Sequence, residues 1–136
     1  MAKTVPSLLA VALAAFPLGP LSAATPFPAG YDAAYRAYVA SLPPAGRGAV
    51  WLTRLEGVAS EPRPMKLRGV PMVYLFSCKA HYCDTDQVNI FLAPDRKTFR
   101  AVLKMSGVER LLGGAGPAEG ICVRRIQDSG GTLENC

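Results

Sequence analysis

Apolar positions recur with a helical period in one part of the chain, and shorter signals indicate two further helices. Between Tyr31 and Leu42 they return every three or four residues, which is typical of one face of a helix. Two prolines follow and end this helix. The pattern predicts a second, shorter helix over residues 50–56. A third is expected from Pro117 through Ile126, because proline is favoured in the first turn of a helix.

The middle of the chain has the pattern of extended structure. After a proline-rich stretch at residues 61–64, apolar residues either run together or alternate with polar ones, which predicts strands. Pro94 and Asp95 favour a tight turn, so the last two predicted strands should form a hairpin. Residues 107–117 are rich in glycine and are predicted to be a loop. The predicted strands are residues 71–77, 87–92 and 99–105.

The amino end has the features of a secretory signal peptide. Lys3 precedes an almost wholly apolar segment, residues 5–21, and small residues follow at 22–24. We predict cleavage after Ala24. The unbroken apolar run is shorter than the roughly 20 residues that cross a bilayer, which disfavours a membrane anchor. We therefore expect residues 25–136 to be one exported domain, periplasmic and free of the membrane.

Composition narrows the classes of partner. The chain has 15 Lys and Arg against 10 Asp and Glu, a net charge of +5. Lys3 is the only charged residue of the signal peptide, so the exported part carries 14 − 10 = +4. Its basic residues are scattered and form no tract interleaved with aromatics, so nucleic-acid binding is not expected. No cofactor or metal is predicted.

An even number of cysteines in an exported chain predicts disulfides. Four cysteines allow three pairings, and closeness in sequence and in the expected meander favours two short-range bonds. The first would close a small ring around Lys79, Ala80, His81 and Tyr82, between two predicted strands. That ring contains the only histidine of the chain. The predicted pairs are Cys78 with Cys83, and Cys122 with Cys136.

The run Cys78-Lys79-Ala80-His81-Tyr82-Cys83, followed by Asp84 and a strand ending at Pro94-Asp95, resembles the Ivy family of periplasmic inhibitors of vertebrate lysozyme. In that family the loop usually reads Cys-Lys-Pro-His-Asp/Asn-Cys, and four of the six positions match. Ala80 stands in place of the proline, and Tyr82 replaces a small polar residue. Leu111-Leu112-Gly113 resembles, less closely, a Trp-Leu-Gly element of that family.

The resemblance implies an α+β fold, with an antiparallel sheet of about five strands, short helices packed on it and a protruding disulfide-closed loop. It also implies that this loop, residues 78–83, enters the cleft of a C-type lysozyme. A bacterial lytic transglycosylase or another peptidoglycan-cleaving enzyme is an alternative target. Members of the family can form homodimers.

The chemistry of the loop agrees with this hypothesis. Lysozyme-type enzymes cleave between a carboxylic acid and a carboxylate, and an imidazole can hydrogen-bond to both. His81 is the candidate for that contact, and Lys79 for one at the cleft rim.

Other interpretations of the same residues remain open. Cys78, His81, Cys83 and Asp84 could hold a metal. A cysteine nucleophile with His81 as its base would make the chain an enzyme, which we do not expect. His81 could also be merely solvated, in an exported structural domain without inhibitory activity.

Overall fold

The computed structural model describes residues 25–136, so the predicted signal peptide lies outside the described residues. Helices and strands both contribute, and the strands form one antiparallel sheet, which confirms the predicted α+β class. The helices are α1 (Asp32–Ser41), α2 (Val50–Thr53) and α3 (Pro117–Asp128). The strands are β1 (Val58–Ala59), β2 (Arg63–Leu67), β3 (Val70–Cys78), β4 (Gln87–Leu92), β5 (Phe99–Met105) and β6 (Val108–Leu112).

The sheet is a meander with one divided edge. Its order is β1-β3-β4-β5-β6, and β2 pairs with the same edge of β3 as β1 does. The sheet therefore has six strands in the described residues rather than about five. The predicted hairpin of β4 and β5 is present, with Gln87 opposite Lys104 and Leu92 opposite Phe99.

Both faces of the sheet are covered, so its central strand is completely buried. All six residues of β4 are buried. On one face, side chains of α1 and α2 such as Tyr38 and Leu52 pack on Ile90 and Leu103. The Tyr38 hydroxyl donates to the Leu52 carbonyl at 2.7 Å, which joins the two helices. On the other face, α3 buries its apolar side against the second core cluster of the sheet.

Three strands, β1, β2 and β6, lie where the sequence pattern did not predict them. Residues 107–117 were predicted to be a loop, but β6 occupies residues 108–112 of this segment. The tight turn before it has positive φ at Ser106 (48°) and Gly107 (78°), as a two-residue type I′ hairpin requires. The strand β2 includes Pro64, which a sheet tolerates because β2 pairs with a strand on one side only.

The carboxyl tail is fastened along the outer edge of β2. The Lys66 N–H donates to the Glu134 carbonyl at 2.9 Å, and the Cys136 N–H donates to the Lys66 carbonyl at 2.8 Å. Cys136 is also bonded to the buried Cys122 of α3, the pairing expected from the spacing. Closing a loop of this length stabilises a fold by about 3 kcal/mol.

A buried carboxylate fixes the first turn of α3. Glu119 is only 3 % exposed, and it accepts a hydrogen bond from the Gly116 N–H at 2.8 Å. Its other oxygen accepts one from the Arg100 guanidinium of β5, also at 2.8 Å. Burial alone would raise the pKa of Glu119, but the hydrogen bonds from Arg100 and from Gly116 outweigh it and hold the pKa below its ordinary value of 4.5. Glu119 therefore stays ionised at neutral pH.

We expect Glu119→Gln to destabilise the fold by about 1–2 kcal/mol at neutral pH, because it removes the charged partner of Arg100. A carboxyl whose pKa is lowered by folding contributes stability that is fully present above its unfolded value and is lost as the pH falls through its folded value. Urea unfolding of both proteins at about pH 7 and about pH 3 measures this. The difference in stability between them should shrink in acid. Glu61→Gln, at an exposed site, is the control, and an E119Q deficit that is the same at both pH values would contradict the assignment.

Candidate functional site

The predicted ring lies at one end of the sheet, where β3 connects to β4. Cys78 ends β3 and is paired in register with Gln87, the first residue of β4. Residues 79–86 connect them. The structure joins Cys78 to Cys83, with their Cα atoms 5.0 Å apart, so all six predicted site residues come together in what we call the disulfide ring, residues 78–83.

The backbone of the ring folds as a tight turn. The Lys79 N–H donates to the Asp86 carbonyl at 3.0 Å, which extends the β3–β4 ladder by one step. The Tyr82 N–H then donates to the Lys79 carbonyl at 2.9 Å and closes a four-residue turn. His81, third in this turn, has a positive φ of 71°, as a type II turn requires at that position. The turn therefore fixes the backbone from which the imidazole projects.

The second half of the connection rests on the neighbouring β5–β6 hairpin. The Gly107 N–H donates to the Thr85 carbonyl at 3.0 Å, and the Ser106 N–H donates to a carboxylate oxygen of Asp86 at 3.1 Å. The Lys104 ammonium donates to the Asp84 carbonyl at 3.3 Å. Three contacts thus hold residues 84–86 against an adjacent turn.

Beneath the ring, a buried amide connects it to the core. The Gln87 side-chain amide donates to the Cys83 carbonyl at 3.0 Å. Its oxygen accepts from the Asn89 amide at 3.0 Å and from the Gln127 amide of α3 at 2.6 Å. Asn89 in turn accepts from the Tyr74 hydroxyl at 2.5 Å. Burial raises the pKa of Tyr74 to about 12, against a smaller opposing effect of Arg63, so this hydroxyl keeps the proton that it donates.

On the opposite face of the sheet, the end of β3 is held equally closely. The Ser77 hydroxyl is buried and donates to the Trp51 carbonyl of α2 at 2.6 Å. Gly57 passes so near that a Cβ atom there would lie 1.9 Å from the Cys78 carbonyl oxygen, which only glycine avoids. The base of the ring is therefore fixed from both faces of the sheet.

The outward side of the ring presents only exposed groups. The four residues between the cysteines, Lys79, Ala80, His81 and Tyr82, are all exposed, with Tyr82 at 53 %. The Lys79 ammonium lies 4.9 Å from the centre of the Tyr82 ring, a cation–π contact. None of the four carries a negative charge. The ring therefore offers an imidazole, an ammonium and a phenol to a partner.

The disulfide removes two rival interpretations of these residues. Cys78 and Cys83 are bonded to each other, so neither supplies the thiolate that a metal site or a cysteine nucleophile needs. Within residues 25–136, no group of three or more His, Cys, Asp or Glu side chains is placed to hold a metal ion. No helix in the same range is long and apolar enough to cross a membrane.

Sequence reasoning missed the residues that support the ring. Gln87 was predicted only as the first residue of a strand, and Gln127 lies 40 positions away from it. A side-chain amide at the start of a mostly apolar strand was the one available signal.

No protein-family model and no curated protein matches the chain. The disulfide ring is therefore the main indication of function in the described residues.

We expect Gln87→Leu to loosen the ring, because it leaves the Cys83 carbonyl and the buried Asn89 amide without their partner. Unpaired buried groups cost about 1–3 kcal/mol each. Hydrogen exchange should quicken at the Tyr82, Thr85 and Asp86 amides. Gln127→Leu is the matched control, since it keeps the bond from Gln87 to Cys83. Equal exchange rates at these amides in the two variants would show that Gln87 does not support the ring.

Proposed function

We propose that this chain is a protein inhibitor of a C-type lysozyme or of a related peptidoglycan-cleaving glycosidase, and that it is not itself an enzyme. It acts in the periplasm after removal of residues 1–24. The observation that carries the proposal is the exposed His81 in a turn that a disulfide closes and the core supports. The resemblance of residues 78–83 to the Ivy loop supports the same target class.

The geometry suits insertion into a cleft that holds two carboxyl groups. A glycosidase of this type keeps a carboxylic acid and a carboxylate a few ångströms apart, on either side of the scissile bond. An imidazole between them has two ring nitrogens for hydrogen bonds and occupies the place of a sugar. Because the turn and the disulfide already hold His81, binding orders little additional backbone, which lowers the entropic cost of association.

Lys79 and Tyr82 would contact the rim of such a cleft. The Lys79 ammonium rests on an aromatic ring, so its charge is not neutralised within the ring and stays available to a carbonyl or carboxylate of the target. The charge of +4 on residues 25–136 does not favour encounter with a basic C-type lysozyme. It favours a peptidoglycan-cleaving target with an acidic surface, because complementary charge accelerates encounter.

His81→Ala should weaken inhibition at least tenfold. It removes up to two hydrogen bonds to charged groups, each worth about 1.5–3 kcal/mol. Lys79→Ala should cost less, and Lys97→Ala, which removes the same charge in the hairpin at the other end of β4, should cost nothing. The measurements are lysis of peptidoglycan and calorimetric binding with a C-type lysozyme and a lytic transglycosylase.

His81→Asn separates side chain from backbone, because asparagine tolerates positive φ well. It should lose affinity like the alanine variant. Full inhibition by His81→Ala would eliminate this mechanism, and a parent protein that inhibits no enzyme of the class would eliminate the function.

Ala80→Pro should tighten binding about two- to fivefold through a stiffer turn. Ala80 is second in the turn that Tyr82 closes, where proline is favoured, and the hydrogen bonds of the ring use other backbone nitrogens. Ala80→Gly is the matched opposite change and should weaken binding. Dissociation rates from the inhibited enzyme measure both. If the two variants shifted affinity in the same direction, stiffness of the turn would not be what determines it.

A further inference from the structure

A second feature with the character of a binding site lies on the α3 face of the sheet. A cleft of about 320 Å³ opens between β2, β3 and the carboxyl end of α3. At about 30 Å³ per water molecule, this is room for a small organic molecule of roughly ten non-hydrogen atoms. Phe76 and Ile126 provide apolar walls, and Gly130 and Gly131 border the opening.

One cation in this cleft is incompletely bonded. The Arg63 guanidinium lies 5.0 Å from the centre of the Tyr74 ring, and its Nη1 donates to the Leu133 carbonyl at 2.6 Å. Its Nη2 is buried and has no acceptor among the described residues. No carboxylate in residues 25–136 forms an ion pair with Arg63. A permanently charged group with an unmet N–H is therefore held at the edge of an apolar cleft.

We propose that this cleft binds a small organic carboxylate, independently of the disulfide ring. The carboxylate accepts hydrogen bonds from Arg63, including Nη2, and its apolar or aromatic body lies against Phe76 and Ile126. Nη2 has almost no exposed surface, so the guanidinium turns slightly toward the cleft on binding, as a long and only half-buried side chain allows.

A single negative charge fits this site better than a phosphate. Arg63 is the only cationic side chain that lines the cleft, so a second negative charge would be desolvated without compensation. The carboxyl end of α3 lies at the same cleft, and its partial negative charge adds a cost for each negative charge of the ligand, which is smaller for a carboxylate than for a doubly charged phosphate. The apolar walls require a body that prefers to leave water.

The first test compares benzoate with benzamide, its neutral analogue of the same shape, by NMR titration of the labelled protein. Benzoate should produce saturable shifts at the Arg63 Nε–H and at the Gly130 and Gly131 amides, with benzamide binding at least tenfold more weakly. N-acetylalanine imitates the carboxyl end of a peptide. If it binds more tightly than benzoate, the natural carboxylate belongs to a peptide, and if more weakly, to a free acid. Equal binding of benzoate and benzamide, or shifts confined to other residues, would overturn the proposal.

The second test uses variants. Arg63→Gln should weaken benzoate binding at least tenfold, whereas Arg36→Gln, the same charge change on the exposed side of α1, should leave it unchanged. Because Arg63 also holds Leu133, its variant could lose folding rather than binding. Ser60→Trp therefore fills the cleft from its exposed rim without altering Arg63, and it should abolish binding at an unchanged melting temperature. Benzoate binding that survives in Ser60→Trp would place the ligand elsewhere.

Discussion

The structure depends on keeping the central strand β4 out of water on both faces. Two of its six buried residues, Gln87 and Asn89, are polar, and burial of polar groups is tolerable only when their hydrogen bonds are made. They bond to each other, and they also have partners outside the strand: Tyr74 belongs to β3 and Gln127 to α3. The hydrogen bonds of the buried polar side chains of β4 therefore also fix the position of α3 on the sheet. As a result, hydrogen bonding and side-chain packing constrain each other.

The disulfide ring obtains its order from the same core. Gln87 is at once the first residue of the buried strand and the donor to the Cys83 carbonyl, so the exposed turn begins where the hydrogen-bonded interior ends. Ser77 performs the corresponding task on the opposite face through Trp51. An exposed His81 with a left-handed backbone is maintained because the surrounding contacts over-determine it.

Local patterns predicted those strands that are largely buried. The predicted strands over residues 87–92 and 99–105 have the same limits as β4 and β5, because both are rich in apolar residues and are followed by turn-forming residues. The strand β6 is mostly exposed, so it has no comparable apolar pattern. The strand β2 was missed because its sequence contains a proline, which is unfavourable in most strands. The six ring residues were found from the spacing of Cys78 and Cys83 and from the resemblance of residues 78–83 to the Ivy loop. The partners of Arg63 and Gln87 are 70 and 40 positions away, and only tertiary packing brings them together.

The attachment of the carboxyl tail affects the tendency of the protein to aggregate. Hydrogen bonds between Lys66 and residues 134–136 cover the outer edge of β2, and the bond from Cys136 to Cys122 keeps the tail there. An uncovered strand edge is a template on which other chains can add. Without this disulfide the tail would be held only by a few hydrogen bonds and by the packing of Leu133 on the core. Protection of this strand edge against aggregation is thus linked to the Cys122–Cys136 bond, which an oxidising compartment would favour.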